Sequence, residues 1–249
     1  MLFRSVAGVL ATVINGLGLL LLRWPPLRRL IPSGSLRLSS VVGNTGYFGI
    51  PVAVALLPQA ALGFSITYDL VGTLITWSVG PLMVQGIPPD PRRAIAVLRD
   101  SPACRGLAVA LLLHLSPWAG WLGQVLWWPS QLILLGALSV VGMRLGVTLQ
   151  KGIRLEPEEA GYLGVALAFK LLLLPLLALL LCSVLPLPQL LRSAVVLQAA
   201  APTAVSALLL AEAAKRDADR TAHLVLGGTL IALLTVPSWW WLLNLVQAG

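Results

Sequence analysis

The chain alternates between long apolar runs and short polar connections. Eight of the runs are long enough to cross a bilayer as helices, at about 20 residues per crossing. They cover residues 2–22, 39–57, 62–84, 106–125, 131–149, 160–185, 193–211 and 222–246. The connections are rich in proline and charge, and none is long enough for a separate soluble domain. The pattern therefore predicts an all-α polytopic bundle, a single membrane domain over residues 1–249.

Two of these runs carry helix-breaking residues near their middle. They contain Gly43-Asn44-Thr45-Gly46-Tyr47-Phe48-Gly49-Ile50-Pro51 and Gln198-Ala199-Ala200-Ala201-Pro202-Thr203-Ala204-Val205-Ser206. Glycine and proline interrupt helices, and backbone groups freed within lipid must find partners inside the protein or in a water-filled cavity. Broken membrane helices therefore tend to mark binding sites. We predict two discontinuous helices that run antiparallel and cross near the membrane centre.

Composition excludes a soluble globule. The chain is 58% hydrophobic and only 10% charged, with a mean hydropathy of +0.91. This leaves too few polar groups to cover the surface of a 249-residue soluble domain. Cys104 and Cys182 fall near opposite membrane faces in the predicted topology, so they cannot pair with each other.

Basic residues are concentrated in alternate connections between the runs. The first, third, fifth and seventh connections hold thirteen of them: Arg23, Arg28, Arg29, Arg37, Arg92, Arg93, Arg99, Arg105, Lys151, Arg154, Lys215, Arg216 and Arg220. By the positive-inside rule, this distribution places both termini outside a plasma (inner) membrane. The net charge of +8 then reflects topology and attraction to anionic inner-leaflet lipid. It does not indicate nucleic-acid binding, since no basic face carries interleaved aromatic residues.

The two halves of the chain resemble each other. Residues 39–42 (Ser-Ser-Val-Val) recur as 193–196 (Ser-Ala-Val-Val), and Gly-Thr-Leu-Ile at 72–75 recurs at 228–231. Equivalent runs cross in opposite directions, which predicts the inverted repeat of many secondary transporters. The predicted parts are a first repeat over 1–84, a scaffold-like helix pair over 106–149 and a second repeat over 160–249.

Polar residues around the two breaks form the candidate substrate site. Pro51 and Pro202 each suit the first position of a half-helix, because that position leaves its N–H unpaired anyway. The N-terminal ends of these half-helices would then face the membrane centre and could hold a carboxylate. The alternative for these polar residues is a role in helix packing, because small and polar residues also hold membrane helices together. The candidate substrate-binding residues are Asn44, Thr45, Gly46, Pro51, Gln198, Pro202, Thr203 and Ser206.

Two ionisable residues lie well inside the runs, where a charge is costly and commonly functional. Asp69 could bind a coupling proton or cation, or could be a structural carboxylate paired with a hydroxyl such as that of Thr73. Lys170 could attract an anionic substrate or pair with a carboxylate. Tryptophans 127–128 and 239–241 are predicted to anchor helices at the membrane interface.

Several motifs together resemble the auxin efflux carrier family of permeases, within the bile acid/arsenite/riboflavin transporter-like superfamily. They are the Gly43–Pro51 motif, Tyr68-Asp69, Gln198–Pro202 with Leu210-Ala211-Glu212, and the closing Thr229–Pro237 helix. The resemblance covers essentially the whole chain. It implies an inverted-repeat permease for organic anions such as auxin-like weak acids or dicarboxylates. Such permeases usually have ten spans, and the eight here match the third to the tenth, so the first two are expected to be missing.

The sequence thus predicts a secondary active carrier of small organic anions. Its expected partners are the anion, a coupling proton or sodium ion, membrane lipid and, as an open alternative, a second copy in a homodimer. No cofactor is expected. The sequence has no catalytic grouping and no Walker A motif, so it does not predict an enzyme. The alternative is a channel, or a non-transporting membrane subunit derived from a truncated carrier.

Overall fold

The computed structural model describes residues 2–88, 90–150 and 157–248, and these residues are almost entirely helical. Four helices in the described part are long and apolar enough to cross a membrane: Phe3–Leu21, Gln59–Gln85, Pro157–Val184 and Ala218–Val246. The predicted all-α membrane fold is confirmed. The basic residues Lys151 and Arg154 lie outside the described residues.

Thirteen α-helices follow one another in the described chain. They are α1 (Leu2–Leu21), α2 (Pro25–Leu30), α3 (Gly34–Ser39), α4 (Ile50–Leu56), α5 (Leu62–Gln85), α6 (Pro91–Asp100), α7 (Pro102–His114), α8 (Ala119–Gln150), α9 (Pro157–Ala168), α10 (Leu174–Val184), α11 (Gln189–Ala199), α12 (Val205–Ala213) and α13 (Ala218–Ala248). π-Helical turns at Thr45–Gly49 and Phe169–Leu173 lead directly into α4 and α10, and a 3₁₀ turn at Gln59–Ala61 precedes α5.

Each half of the fold contains a long helix, a broken helix and a second long helix. In the first half these are α1, the pair α3 and α4, and α5; in the second they are α9 with α10, the pair α11 and α12, and α13. The main apolar core lies where α1, α5, α10 and α11 pack together, and small and branched residues such as Ala7, Ile14 and Val195 are fully buried there. Both broken helices pack against this core.

The helix pair between the two halves turns at a different place from the one predicted. The apolar runs 106–125 and 131–149 predict a turn at 126–130, whereas the chain turns at residues 115–118 and α8 continues for 32 residues through Pro129. The physical reason is Pro117, which disfavours the helical conformation at Ser116. The Ser116 hydroxyl closes this turn by accepting the Trp118 N–H at 3.3 Å.

A left-handed residue other than glycine ends α12. The Lys215 N–H donates to the Glu212 carbonyl and the Arg216 N–H to the Ala211 carbonyl, both at 3.0 Å. This is the Schellman motif, whose left-handed position normally holds glycine. Lys215 occupies that position with φ 52°, whereas Gly86 occupies it at the end of α5 with φ 74°. The Lys215 side chain therefore adds conformational strain to this loop.

We expect Lys215→Gly to stabilise the protein by about 1 kcal/mol, because glycine adopts this conformation without the steric cost that a Cβ imposes. The check is the midpoint of thermal unfolding in detergent. Lys215→Ala is the matched control, since it removes the charge but keeps the Cβ. An equal gain from both variants would assign the effect to the charge and contradict the backbone explanation.

Candidate functional site

The two helix breaks cross each other through their main chains. Residues 40–44 separate α3 from the helical segment that starts at Thr45, and residues 200–204 separate α11 from α12. An antiparallel bridge pairs Gly43 with Thr203. The Asn44 N–H donates to the Pro202 carbonyl at 2.7 Å, and the Ala204 N–H donates to the Val42 carbonyl at 3.0 Å. Backbone groups freed by each break are thus satisfied by the other, as a lipid environment requires.

A polar side chain donates a hydrogen bond to the last carbonyl of each helix that leads into a break, α3 and α11. The Thr203 hydroxyl donates to the Ser39 carbonyl at the end of α3, at 3.1 Å. The Lys170 ammonium donates to the Ala199 carbonyl at the end of α11, at 2.8 Å. Cations are favoured at helix C-termini. Thr203, a predicted substrate-binding residue, therefore uses its donor in holding the crossing together.

Lys170 places a positive charge at the crossing. Its side chain is only 2% exposed, and within the described part of the chain it forms no ion pair and no hydrogen bond other than the one to Ala199. A Cβ built on Gly43 would lie 3.1 Å from its Nζ. The Lys170 amino group thus lies beside the first break and the end of α11, and when protonated it keeps two N–H groups without a described partner, so an anion could bind there.

Lys170 is held by a π-helical turn that the sequence analysis did not predict. The turn at Phe169–Leu173 is followed by Pro175, which has no N–H to donate to the Leu171 carbonyl four residues earlier. The Trp239 indole of α13 donates to that carbonyl instead, at 2.9 Å. The prediction that Trp239 is an interfacial anchor is therefore wrong: the side chain is buried because it replaces the missing donor.

Asp69 lies in α5, with its carboxylate beside the start of the helical segment that follows the first break. The Thr45 hydroxyl donates to its Oδ1 at 2.6 Å, and a Cβ on Gly46 would lie 3.2 Å from the same oxygen. The structural alternative expected Thr73 as the partner, but the observed partner is Thr45. The carboxylate is half-buried, and it thereby joins the predicted Thr45-Gly46 segment.

The π-helical turn at Thr45–Gly49 changes the backbone beside Asp69. The Ile50 N–H donates to the Thr45 carbonyl, and Pro51 has no N–H to offer the carbonyls of Gly46 or Tyr47. These two carbonyls therefore lack their usual helical donors. The Asp69 carboxylate and the Thr45 hydroxyl beside this turn provide oxygen atoms of the kind that bind a proton or a hard cation.

The side chain of Gln198 is enclosed between the two broken helices. It is 0% exposed, and neither its Oε1 nor its Nε2 has a hydrogen-bond partner among the described residues. Gly49 lies directly against it, since a Cβ there would come within 2.3 Å of Oε1. A buried amide without partners is costly, so a polar ligand is a natural partner for this group.

Pro51 lies in the first turn of α4, as its second residue, but neither proline is the first helical residue after its break. The first half-helix after the break starts at Thr45, where the Asn44 side chain accepts the Tyr47 N–H at 3.3 Å as an N-cap. Pro51 is exposed and lies about 9 Å of helix rise further on. Its missing N–H is accommodated by the π-helical turn instead. Pro202 lies within the crossing, and α12 begins only at Val205.

The remaining predicted residue, Ser206, lies half-buried in the first turn of α12. One buried polar residue near the site was missed altogether. Asn15 of α1 is buried, donates to the Ala11 carbonyl at 2.7 Å and lies close to Tyr68, the neighbour of Asp69. The sequence did contain a signal for it: Asn15 is a single amide inside an otherwise apolar run, and in lipid such an amide indicates a polar partner on another helix.

Two comparisons with known proteins bear on the kind of protein this is. A family model described as "Membrane transport protein" matches residues 101–240, which include Lys170 and the whole second break. The chain is also similar to an uncharacterized transporter of Methanocaldococcus jannaschii. The two are 26% identical over 216 residues, which make up 84% of this chain and 68% of the relative.

Proposed function

The chain belongs to the membrane transport protein family, and from that premise we propose that it is a secondary active carrier of small organic anions. The observation that carries the proposal is the Lys170 ammonium at the crossing of the two broken helices. A buried charge without an ion pair is expensive in a membrane. A transported anion would supply the missing charge while bound.

Neutral groups next to the crossing support a site that can also release its ligand. The Asn44 amide and the Ser206 hydroxyl lie next to the helical segments that begin at Thr45 and Val205. Helix N-termini present unpaired N–H groups and a partial positive charge, both of which favour carboxylates. One cation combined with neutral donors binds an anion less tightly than several cations would, and this suits a carrier.

Asp69 is proposed to couple transport to a proton or sodium ion. Its carboxylate adds a negative charge close to the proposed anion site, and the Thr45 hydroxyl already donates to it. An ion that neutralises this charge would raise the affinity for the anion, and by linkage the anion would raise the affinity for the ion. Carboxylic acids such as auxin-like weak acids or small dicarboxylates fit this scheme.

The wider setting of the carrier completes the proposal. The distribution of basic residues supports an inner-membrane location with both termini outside. We also propose that membrane lipid surrounds the chain and that two copies form a homodimer. Nucleic acid has no part in the proposed function.

Uptake of labelled weak acids by reconstituted protein tests this function. We expect saturable uptake and counterflow of at least one acid, driven by an imposed proton or sodium gradient. Asn44→Ser keeps an N-cap acceptor but removes the amide donor, so we expect flux to fall about tenfold, equivalent to about 1.4 kcal/mol for one lost hydrogen bond.

Asn244→Ser is the matched control, since Asn244 lies exposed on α13, and it should retain wild-type flux. Unchanged flux in Asn44→Ser would remove Asn44 from the site. Linear flux without counterflow would indicate a channel. Failure to move any acid would contradict the carrier proposal itself.

A further inference from the structure

The first inner connection is purely basic. Arg23, Arg28, Arg29 and Arg37 fall within it, and the sequence contains no aspartate or glutamate before Asp69. No acidic neighbour in the same stretch of chain can therefore neutralise these arginines. The connection consists of α2 and the start of α3, which lie at the predicted inner end of the first repeat.

This connection is held firmly against the protein. Leu22 and Ile31, at either end of α2, are fully buried, and Leu27 packs against the main core. A Cβ on Gly34 would lie 1.8 Å from the Met83 carbonyl, so the start of α3 rests directly on the end of α5. The Ser35 hydroxyl adds a hydrogen bond to the Arg216 carbonyl at 3.3 Å. The basic groups thus project from a fixed surface.

Two arginines of this surface lie on consecutive helices separated by only three residues, Arg28 on α2 and Arg37 on α3. Burial lowers the pKa of the Arg37 guanidinium, and repulsion from the positive charge of Arg28 lowers it further. Arg37 is half-buried, whereas Arg28 and Arg29 are exposed. None of the three forms an ion pair with a described residue. An anion bound between α2 and α3 would relieve this repulsion.

Apolar side chains beside the arginines identify the source of that anion. Trp24 is 60% exposed and Leu30 is 46% exposed, one at each end of α2. Exposed tryptophan beside arginine is typical of the membrane interface, where the ring lies at headgroup depth and the cation reaches lipid phosphate. A free phosphate ion would gain nothing from these apolar neighbours.

We propose that α2 and α3 form a binding site for the phosphate of an anionic phospholipid of the inner leaflet. Arg28 and Arg37 hold the phosphate, Arg29 adds charge at the rim, and Trp24 and Leu30 contact the acyl region. Most of the site lies on α2, which α3 separates from the crossing, whereas Arg37 lies in the last turn of α3.

The test measures thermal unfolding of the purified protein in detergent while short-chain phosphatidylglycerol or phosphatidylcholine is added. We expect phosphatidylglycerol alone to raise the unfolding midpoint. The apparent affinity for phosphatidylglycerol should fall at least tenfold in Arg28→Gln/Arg37→Gln. It should also fall in Arg28→Gln/Arg29→Gln, which changes only exposed side chains and therefore should not impair folding.

Arg92→Gln/Arg93→Gln is the control, because it removes two exposed charges from α6 in another inner connection. It should retain the affinity of the wild type. Equal loss in all three double variants would mean that net charge alone attracts the lipid, and would overturn the site. The site would also be overturned if phosphatidylcholine stabilised equally, or if inorganic phosphate at the same concentration reproduced the effect.

Discussion

Replacement of Lys170 by methionine is expected to reduce anion transport strongly while the protein remains folded. Methionine has a similar unbranched shape, and its side chain lacks the charge that makes Lys170 costly to bury. Removal of the buried charge should offset the loss of the bond to the Ala199 carbonyl, so the variant should be about as stable as the wild type. A hydrogen bond between charged partners contributes about 1.5–3 kcal/mol. Flux at limiting substrate should accordingly fall about 10- to 150-fold.

Two further variants show whether charge or shape at this position matters. Lys170→Arg keeps the charge, but the larger guanidinium must fit close to Gly43, since a Cβ built on Gly43 would lie only 3.1 Å from the Lys170 Nζ. We therefore expect a flux between those of the wild type and Lys170→Met. Lys215→Gly removes a lysine charge far from the crossing and should transport normally. Wild-type flux and affinity in Lys170→Met would exclude Lys170 from anion binding. An equal loss for uncharged substrate analogues would show a purely structural role.

Gly49→Ala is expected to destabilise the protein by about 1–3 kcal/mol, the usual cost of overpacking a filled interior. The new Cβ would lie 2.3 Å from Oε1 of Gln198. Because the glutamine side chain is fully enclosed, it cannot move aside into solvent. The destabilisation should therefore depend on the presence of the glutamine side chain.

A double-mutant cycle with Gln198→Ala measures that dependence. Gly49→Ala should cost little when Gln198 is already alanine, so the cycle should show a coupling of about 0.5–3 kcal/mol between the two positions. Gly16→Ala is the control, since a Cβ there meets nothing within 4 Å, and it should be neutral or slightly stabilising. The same cost for Gly49→Ala in both backgrounds would rule out contact with Gln198 as its cause. The double variant should fold but transport poorly, because it lacks the Gln198 amide.

The sequence was sufficient to predict the membrane fold, the two breaks and their meeting point. The reason is that lipid supplies no hydrogen bonds, so glycine and proline in the middle of an apolar run leave few solutions for the backbone. The same argument identified Asp69 and Lys170, because a charge inside an apolar run is costly unless a partner or a function compensates for it. Both residues lie at the crossing, with Thr45 and Ala199 as partners.

The local backbone around the prolines could not be predicted. A proline can begin a helix, or it can follow a π-helical turn if another group bonds the carbonyl that it leaves free. At Pro175 that group is the Trp239 indole, which bonds Leu171 from 68 positions away in sequence. A single sequence does not reveal such a distant donor. For the same reason the π-helical turn before Pro51 was not predicted, and the buried Asn15 was missed.

The junction between residues 42–44 and 202–204 is made by peptide groups, not by side chains. Every amino acid except proline carries the same donor and acceptor, so evolution can exchange the residues that touch a cargo without dismantling the scaffold that presents them. The same backbone junction can thus be kept in related carriers that transport different substrates and that differ by a few neighbouring substitutions. Only a new proline at position 44 or 204 would break the frame directly.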